Sequence, residues 1–158
     1  MIVYYATGPF PSGLSSARVR KVAAAMAHVR GLPSGTATIG LRFVTVREIQ
    51  RLNRMFRGKN KPTDVLSFGM EAARGSAAFP SLHGSDQEIG DLVVCPSVAR
   101  AEARRRSMDP VEELVRLIVH GTLHLAGMDH ATAKEEERMF ALQEHIVAQV
   151  MNARTRIR

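Results

Sequence analysis

The chain has 158 residues, of which 45% are apolar and one is a cysteine, Cys95. This size and composition suit one domain with a core that needs no disulfide bonds, and a lone cysteine gives no reason to expect a disulfide-linked partner. No run reaches the about 20 apolar residues that cross a bilayer, and no signal-peptide pattern is seen, so we expect a cytoplasmic protein without a membrane partner. The net charge of +7 favours a polyanionic partner, although a solvated surface rich in arginine would have the same charge.

The first half of the chain alternates between strand and helix patterns. A β-branched and aromatic run at residues 2–6 predicts a strand, and a helix is predicted from about Ser15 to Arg30, ending before Gly31. Residues 36–46 alternate apolar and polar side chains, as a strand with one buried face does. The next helix ends at Gly58. Its apolar side carries Ile49, Leu52, Met55 and Phe56, and its opposite side carries Arg47, Arg51 and Arg54.

Two more strands and three helices are predicted in the second half. Residues 64–70 and 90–96 are typical of strands, and the segment 71–88 between them predicts a surface loop or flap, so the two strands should be antiparallel. A short basic helix follows from Pro96 to about Ser107, and Asp109 caps a helix that begins at Pro110. The last helix runs from about Ala133 to Val150. Together these elements predict an α+β single domain with a mixed sheet of about four strands packed with helices.

Three histidines near the end of the Pro110 helix have the spacing of a metal site. His120 and His124 lie one turn apart on one helical face, and Gly127 can turn the chain back to supply His130. Three imidazoles with an open coordination position are typical of catalytic zinc, so we predict one Zn²⁺ per chain. Asp129 is a candidate for orienting an imidazole. Cys95 as a fourth ligand would make the site structural, but no residue near it has ligand spacing.

The residue after the first histidine is Gly121, where a zinc peptidase of the HExxH type carries its catalytic glutamate. A metal without that base can still act as a Lewis acid and activate water, but peptide hydrolysis by that route is disfavoured. An anionic substrate would instead need cations. Arg57, Lys59 and Lys61 at the end of the second helix can bind phosphate oxygens, or can merely offset the negative end of the helix dipole.

Four blocks of sequence, in chain order, carry a resemblance to a known family. They are LNRMFRGKNKPTDVLSF at 52–68, EIGDLVVCP at 88–96, LIVHGTLHLAGMDH at 117–130 and MFALQEHI at 139–146. Residues from about 40 to 146 resemble the YbeY family of bacterial endoribonucleases and rRNA maturation factors. By motif position, His120, His124 and His130 match the family's metal ligands, and Arg57 matches its functional arginine. The segment from Gly69 to Ser85 is longer than its counterpart in the family.

The resemblance implies an α+β domain with a zinc-binding three-His helix, which cleaves single-stranded RNA during maturation of the small-subunit rRNA 3′ end and in ribosome quality control. We therefore expect residues 1–158 to form one metal-dependent endoribonuclease domain, in which Arg57 stabilises negative charge on the phosphate. The expected partners are rRNA in the small ribosomal subunit, with ribosomal proteins or GTPases as further partners. Candidate contacts to RNA phosphates are Arg47, Arg51, Arg54, Lys59, Lys61, Arg104, Arg105 and Arg106.

Two other functions remain open from the residues alone. A metallopeptidase fits the histidine spacing but lacks the glutamate at Gly121. A non-catalytic ribosome-assembly factor would use zinc only to hold His130 and the last helix in place. For the nuclease, the attacking oxygen could belong to water or to the ribose 2′-OH.

Overall fold

A four-stranded sheet forms the centre of the computed structural model, which describes residues 1–70 and 87–152. The strands β1 (Ile2–Thr7), β2 (Ala37–Phe43), β3 (Val65–Gly69) and β4 (Glu88–Val94) lie in the order β1-β2-β4-β3. β1, β2 and β4 are parallel, whereas β3 pairs antiparallel with β4. The predicted mixed sheet and its antiparallel pair are therefore confirmed.

Five helices of the described residues cover both faces of the sheet: α1 (Ser16–Met26), α2 (Val46–Arg57), α3 (Pro96–Arg105), α4 (Pro110–Leu125) and α5 (Ala133–Asn152). Strand side chains alternate between faces, so β4 contributes Leu92 and Val94 to a large core with α1, α4 and α5. Val93 and the buried Cys95 instead join a smaller cluster with α2. Every helix in these residues is too short or too polar to cross a bilayer.

Side-chain caps define where the helices begin. The Asp109 carboxylate accepts a hydrogen bond from the Val111 amide at 2.7 Å, which confirms it as the cap of α4. At the start of α5, the Thr132 hydroxyl accepts from the Glu135 amide while the Glu135 carboxylate accepts from Thr132. This reciprocal capping box fixes where the chain re-enters a helix after the histidine turn.

The first helix is shorter than the predicted span from Ser15 to Arg30. After Met26 the chain continues in tight turns, in which the Val29 amide donates to the Met26 carbonyl at 3.0 Å. Gly31, with φ of 96°, lies so close to Ala126 that a Cβ atom there would clash with its carbonyl oxygen. The chain that follows α1 therefore passes close to the end of α4 at Gly31.

Four other predictions differ from the structure or lie outside it. Met55, predicted on the apolar side of α2, is 56% exposed, because Asn53, 4% exposed, occupies the buried face beside Ile49 and Leu52. The basic helix ends at Arg105 and the last helix extends to Asn152, each within two residues of the prediction. Most of the loop predicted for 71–88 lies outside the described residues.

Candidate functional site

The histidines and the cations of the second helix meet at the outer edge of β3. Within the described residues, β3 is an edge strand that pairs only with β4. One of its faces packs against the large core that includes α4, and the other face belongs to the smaller cluster with α2. A cleft of about 540 Å³ lies there, and its lining includes Arg57, Lys59, Lys61, His120, His124 and His130. The fold therefore brings together two groups that are far apart in the sequence.

The three imidazoles can hold a single metal ion. One ring nitrogen from each histidine lies within 4.8 Å of the other two, and Nε2 of His120 is 3.1 Å from Nε2 of His124. Two nitrogens bound tetrahedrally to an ion at about 2.0–2.1 Å would lie about 3.3 Å apart. The observed separation fits that geometry with a small adjustment.

Hydrogen bonds to Nδ1 direct Nε2 of His120 and His124 toward this site. His120 Nδ1 lies 2.8 Å from the Gln143 side-chain oxygen, and His124 Nδ1 lies 2.9 Å from the Met128 carbonyl. The Gln143 amide nitrogen donates to Glu144, which identifies the atom facing His120 as oxygen. Both Nδ1 atoms therefore carry the proton, and each Nε2 keeps its lone pair for a metal.

Arg116 stabilises the far end of this chain of hydrogen bonds. Its guanidinium donates to the Glu144 carboxylate at 2.7 Å and lowers the pKa of Glu144, so the carboxylate stays ionised as the acceptor for Gln143. Arg116 also bonds Glu112 and the buried Glu113. His120 is thus oriented through Gln143 by an ion network that links α4 to α5.

The environment of His124 favours its neutral form. Burial lowers the pKa of His124, and the proximity of the His120 and His130 rings lowers it further, whereas the Met128 carbonyl and Asp129 act in the opposite direction. A metal binds the deprotonated nitrogen of a neutral imidazole. His124 is therefore prepared for a metal near neutral pH.

The turn after α4 confirms the predicted role of Gly127. This glycine has φ of 87°, its amide donates to the His124 carbonyl, and the Met128 amide donates to the Leu123 carbonyl at 3.0 Å. That Schellman motif places the Met128 carbonyl against His124 and returns the chain toward the site. The Asp129 carboxylate accepts from the His130 backbone amide at 2.8 Å, so this contact supports the turn rather than an imidazole ring.

Gly121 is buried where α4 packs on β4. A Cβ atom at this position would lie 2.7 Å from Cδ2 of Leu92, which is itself fully buried. The glycine therefore permits a close approach of helix and sheet, and a glutamate between His120 and His124 would require the Leu92 side chain to move.

The cationic side of the cleft is exposed. The Arg57 guanidinium donates to the Ser67 carbonyl at 3.0 Å and lies 5.9 Å from the centre of the Phe68 ring. Lys59 and Lys61 follow in a turn held by the Asn53 side chain, which donates to the Lys61 carbonyl. No ion pair formed within residues 1–70 and 87–152 includes any of these three cations, so their charge is available to a ligand.

The other predicted phosphate contacts lie elsewhere and differ among themselves. The arginines of α2 are exposed, and among the described residues they have no carboxylate partner: Arg47, Arg51 and Arg54. On α3, Arg105 bonds Glu102, and the Arg106 guanidinium is 3.8 Å from Glu113. The cleft lining includes none of these three α2 arginines and none of the three arginines at 104–106.

Sequence patterns did not identify three residues at the site. Gln143 and Asn53 are polar residues on otherwise apolar helix faces, and both are about 5% exposed or less. Such a polar residue needs a hydrogen-bond partner, which is a signal for a positioning role. The third is Phe140, whose ring centre lies 6.2 Å from that of His120 and 6.1 Å from that of His130.

Comparison with known proteins identifies the family. The family model described as Endoribonuclease YbeY matches residues 12–151. A relative with that name from Alkalilimnicola ehrlichii is 41% identical over 129 residues, covering 82% of this chain and 73% of the relative. Another from Halalkalibacterium halodurans is 38% identical over 130 residues, or 82% of each chain.

A solved structure is similar to this chain over most of its length. The solution structure of a Thermotoga maritima protein is similar with a TM-score of 0.59 and 28% identity, covering 96% of this chain and 90% of that chain. The matched family region contains both sides of the cleft, from Arg57 to His130. The chain belongs to the YbeY family of endoribonucleases.

Proposed function

We propose that residues 1–158 form one metal-dependent endoribonuclease domain that cleaves single-stranded RNA. The observation that carries this proposal is the shared cleft, in which three imidazoles that fit one metal ion face three exposed cations. A phosphodiester needs both parts, since charge develops on its oxygens as the bond to phosphorus changes. The relatives named Endoribonuclease YbeY support RNA as the substrate.

Zn²⁺ is the metal we propose for His120, His124 and His130, because a three-imidazole set with an open position is typical of catalytic zinc. When bound, such an ion supplies a Lewis acid for a phosphoryl oxygen and lowers the pKa of water. Gln143 and the Met128 carbonyl keep two of the rings in the productive tautomer.

Arg57 is the residue we assign to the phosphate. Its bond to Ser67 and its position over Phe68 restrain the guanidinium, which has further N–H groups to donate to phosphoryl oxygens. Lys59 and Lys61 add positive charge at the same side of the cleft. These cations serve an anionic substrate better than a peptide, whose hydrolysis would need the carboxylate that Gly121 lacks.

The biological role we propose is maturation of the small-subunit rRNA 3′ end and ribosome quality control in the cytoplasm. The family assignment and the net charge of +7 support an RNA partner. Ribosomal proteins and GTPases are further proposed partners. The exposed α2 arginines are the stronger of the two candidate groups for non-specific contacts with RNA phosphates, because the carboxylates near α3 already engage Arg105 and Arg106.

Metal analysis combined with RNA cleavage tests this function. We expect wild type to hold about one zinc ion per chain and to cleave single-stranded RNA. His124→Ala should lose both properties, whereas the control His145→Ala, an exposed histidine of α5 outside the cluster, should keep both.

Three outcomes would contradict parts of the proposal. Zinc retained by both His120→Ala and His124→Ala would mean that the metal binds elsewhere. Zinc-loaded wild type that cleaved no RNA would favour the assembly factor. Hydrolysis of an unstructured polypeptide, absent in His124→Ala, would favour the metallopeptidase.

A further inference from the structure

Phe140 on α5 has an aromatic ring exposed beside the metal-binding histidines. The residue is 37% exposed, and its ring plane is inclined by 24° to that of His120 and by 21° to that of His130. The large apolar side chains that are exposed in the described residues are Met1, Phe10, Val46, Met55 and Phe140. Of these five, Phe140 is the one whose ring lies against the histidines.

The fold does not require an aromatic ring at this position. The buried face of α5 consists of Met139, Gln143, Ile146, Val147 and Val150, and the neighbouring Met139 is fully buried. Phe140 lies about 100° around the helix from Met139. Phenylalanine is also a weaker helix former than leucine, glutamate or lysine. The contact with the histidines, rather than the core, is therefore what distinguishes this residue.

The charge around Phe140 separates it from the cationic side of the cleft. Glu136 and Glu137 precede it by one turn on α5 and are exposed. Phosphates are repelled from carboxylates and attracted to Arg57, Lys59 and Lys61 across the site. The base of a nucleotide is uncharged, so it can lie beside Phe140 without repulsion from these carboxylates.

We propose that Phe140 is a stacking platform for an unpaired nucleobase next to the cleaved phosphodiester, a role that rests on the proposed endoribonuclease function. Proteins bind single-stranded RNA by stacking splayed bases on aromatic side chains. Phe140 lies outside the cleft lining but against two of its histidines. A phosphate in the cleft would therefore have a neighbouring base within reach of the ring. A paired base would have to give up its base pair and its stacking in the duplex to reach the ring. This contact therefore gives a physical basis for a preference for single strands.

Substitution of Phe140 combined with removal of single bases from the RNA tests this proposal. Zinc-loaded wild type, Phe140→Leu and Phe140→Trp are compared on a short single-stranded RNA and on the same RNA with one abasic nucleotide at each position flanking the cleavage site. Both kcat/KM and the affinity from fluorescence anisotropy are measured. Phe10→Leu is the matched control, since Phe10 is 41% exposed and contacts Phe43 instead of the histidines.

Phe140→Leu should lower affinity and kcat/KM by about 5- to 100-fold, the usual effect of losing one stacked base, while zinc content stays unchanged. Phe140→Trp should retain both, and Phe10→Leu should match wild type. At one flanking position the abasic RNA should lower the wild-type values by a similar factor but should not weaken Phe140→Leu further. That non-additivity identifies the base that contacts the ring.

Several outcomes would overturn the stacking role. Phe140→Leu with wild-type affinity and turnover would leave the ring only as an apolar cover for the histidines, and loss of zinc in Phe140→Leu would indicate the same. The stacking role would also be excluded if, at every abasic position, the loss caused by the abasic RNA added in full to the loss caused by Phe140→Leu. If wild type cleaved no RNA, the proposed function would fail, while the comparison of affinities would still decide whether a base stacks on Phe140.

Discussion

The two sides of the cleft are held in place to different degrees. On the histidine side, His120 and His124 are half-buried, and each ring is fixed through Nδ1 by a hydrogen bond to Gln143 or Met128. On the cationic side, Arg57, Lys59 and Lys61 are exposed. Metal ligands must be placed to within tenths of an ångström, whereas attraction between charges changes slowly with distance. Burial and hydrogen bonding through Nδ1 therefore concentrate at the two ligands of α4, His120 and His124, whereas the third ligand, His130, is exposed like the cations.

This contrast makes the effects of mutation separable. Changes on the histidine side should alter metal content first and turnover as a consequence. Changes on the cationic side should leave metal content intact and act only on RNA. Metal and RNA effects that changed together in these variants would contradict this difference between the two sides.

The largest effect on turnover with intact metal is expected at Arg57. Arg57→Ala should lower RNA turnover by about a hundredfold or more, because electrostatic stabilisation at the reacting phosphate is lost. Arg57→Lys should recover little, since an ammonium group cannot form paired planar hydrogen bonds to two oxygens. Steady-state kinetics, zinc analysis and thermal unfolding of the same preparations measure these effects.

The matched control for Arg57 is Arg54→Ala, an exposed arginine on the same helix outside the cleft lining. It should keep turnover at saturating RNA. Full activity in Arg57→Ala, with lysine as an adequate replacement, would reduce Arg57 to a cation that offsets the helix dipole.

A smaller effect, transmitted through the metal, is expected at Gln143. Gln143→Leu removes the acceptor for His120 Nδ1 and should weaken zinc binding by about 10- to 100-fold, as loss of such outer hydrogen bonds does at other sites. Gln143→Glu keeps an acceptor and should bind zinc at least as tightly as wild type. Competition with a chelator measures the affinity, and turnover should recover when excess zinc is added.

Gln149→Leu is the control for this experiment, because Gln149 is an exposed glutamine of the same helix. Unchanged zinc affinity in Gln143→Leu would show that the contact at 2.8 Å does not position His120. Activity that stayed low in excess zinc would assign Gln143 a role beyond metal binding.

The smallest effect on turnover is expected from the α2 arginines. Replacement of Arg47, Arg51 and Arg54 together by glutamine should lower the slope of log affinity against log salt by up to about 2, because each single-strand phosphate that is no longer neutralised reduces it by roughly 0.7. Turnover at saturating RNA should stay unchanged. Replacement of Arg104, Arg105 and Arg106 removes the same charge and should change the slope less, because Arg105 and Arg106 already have carboxylate partners.

Equal slopes for the two triple variants would show that net charge alone governs binding. Affinity in wild type that did not respond to salt would remove these arginines from RNA recognition altogether.

Local patterns were sufficient to predict much of the fold. The proline and aspartate at the start of α4 and the glycine at its end depend on residues close in sequence. The helical spacing of His120 and His124 likewise predicts their common face. The strand character of β2 was also predicted, but its single buried face was wrong: both faces are buried, because β2 lies between β1 and β4 under helices on either side. The close approach of Gly31 to Ala126 could not be predicted, because it joins segments about 95 residues apart in the sequence.

Long-range contacts also explain which site residues were missed. Gln143 approaches His120 only because α5 packs against α4, and the face that Asn53 occupies depends on the turn to Lys61. Asp129 is predicted near an imidazole, but its carboxylate bonds the His130 amide. Sequence spacing specifies which residues can meet along one helix, whereas contacts between helices require the fold.

Gly121 has a consequence for how this site can evolve or be redesigned. A glutamate there would have to displace Leu92, whose Cδ2 lies 2.7 Å from the position of the missing Cβ. Overpacking of that kind costs about 1–3 kcal/mol, and shortening Leu92 first would leave a cavity that costs about 2–5 kcal/mol. Both costs come out of the roughly 5–15 kcal/mol that holds a domain folded. A peptidase-like HExxH helix therefore requires the Leu92 side chain to move, and selection for peptide hydrolysis should recover a reshaped side chain at 92 together with the carboxylate at 121.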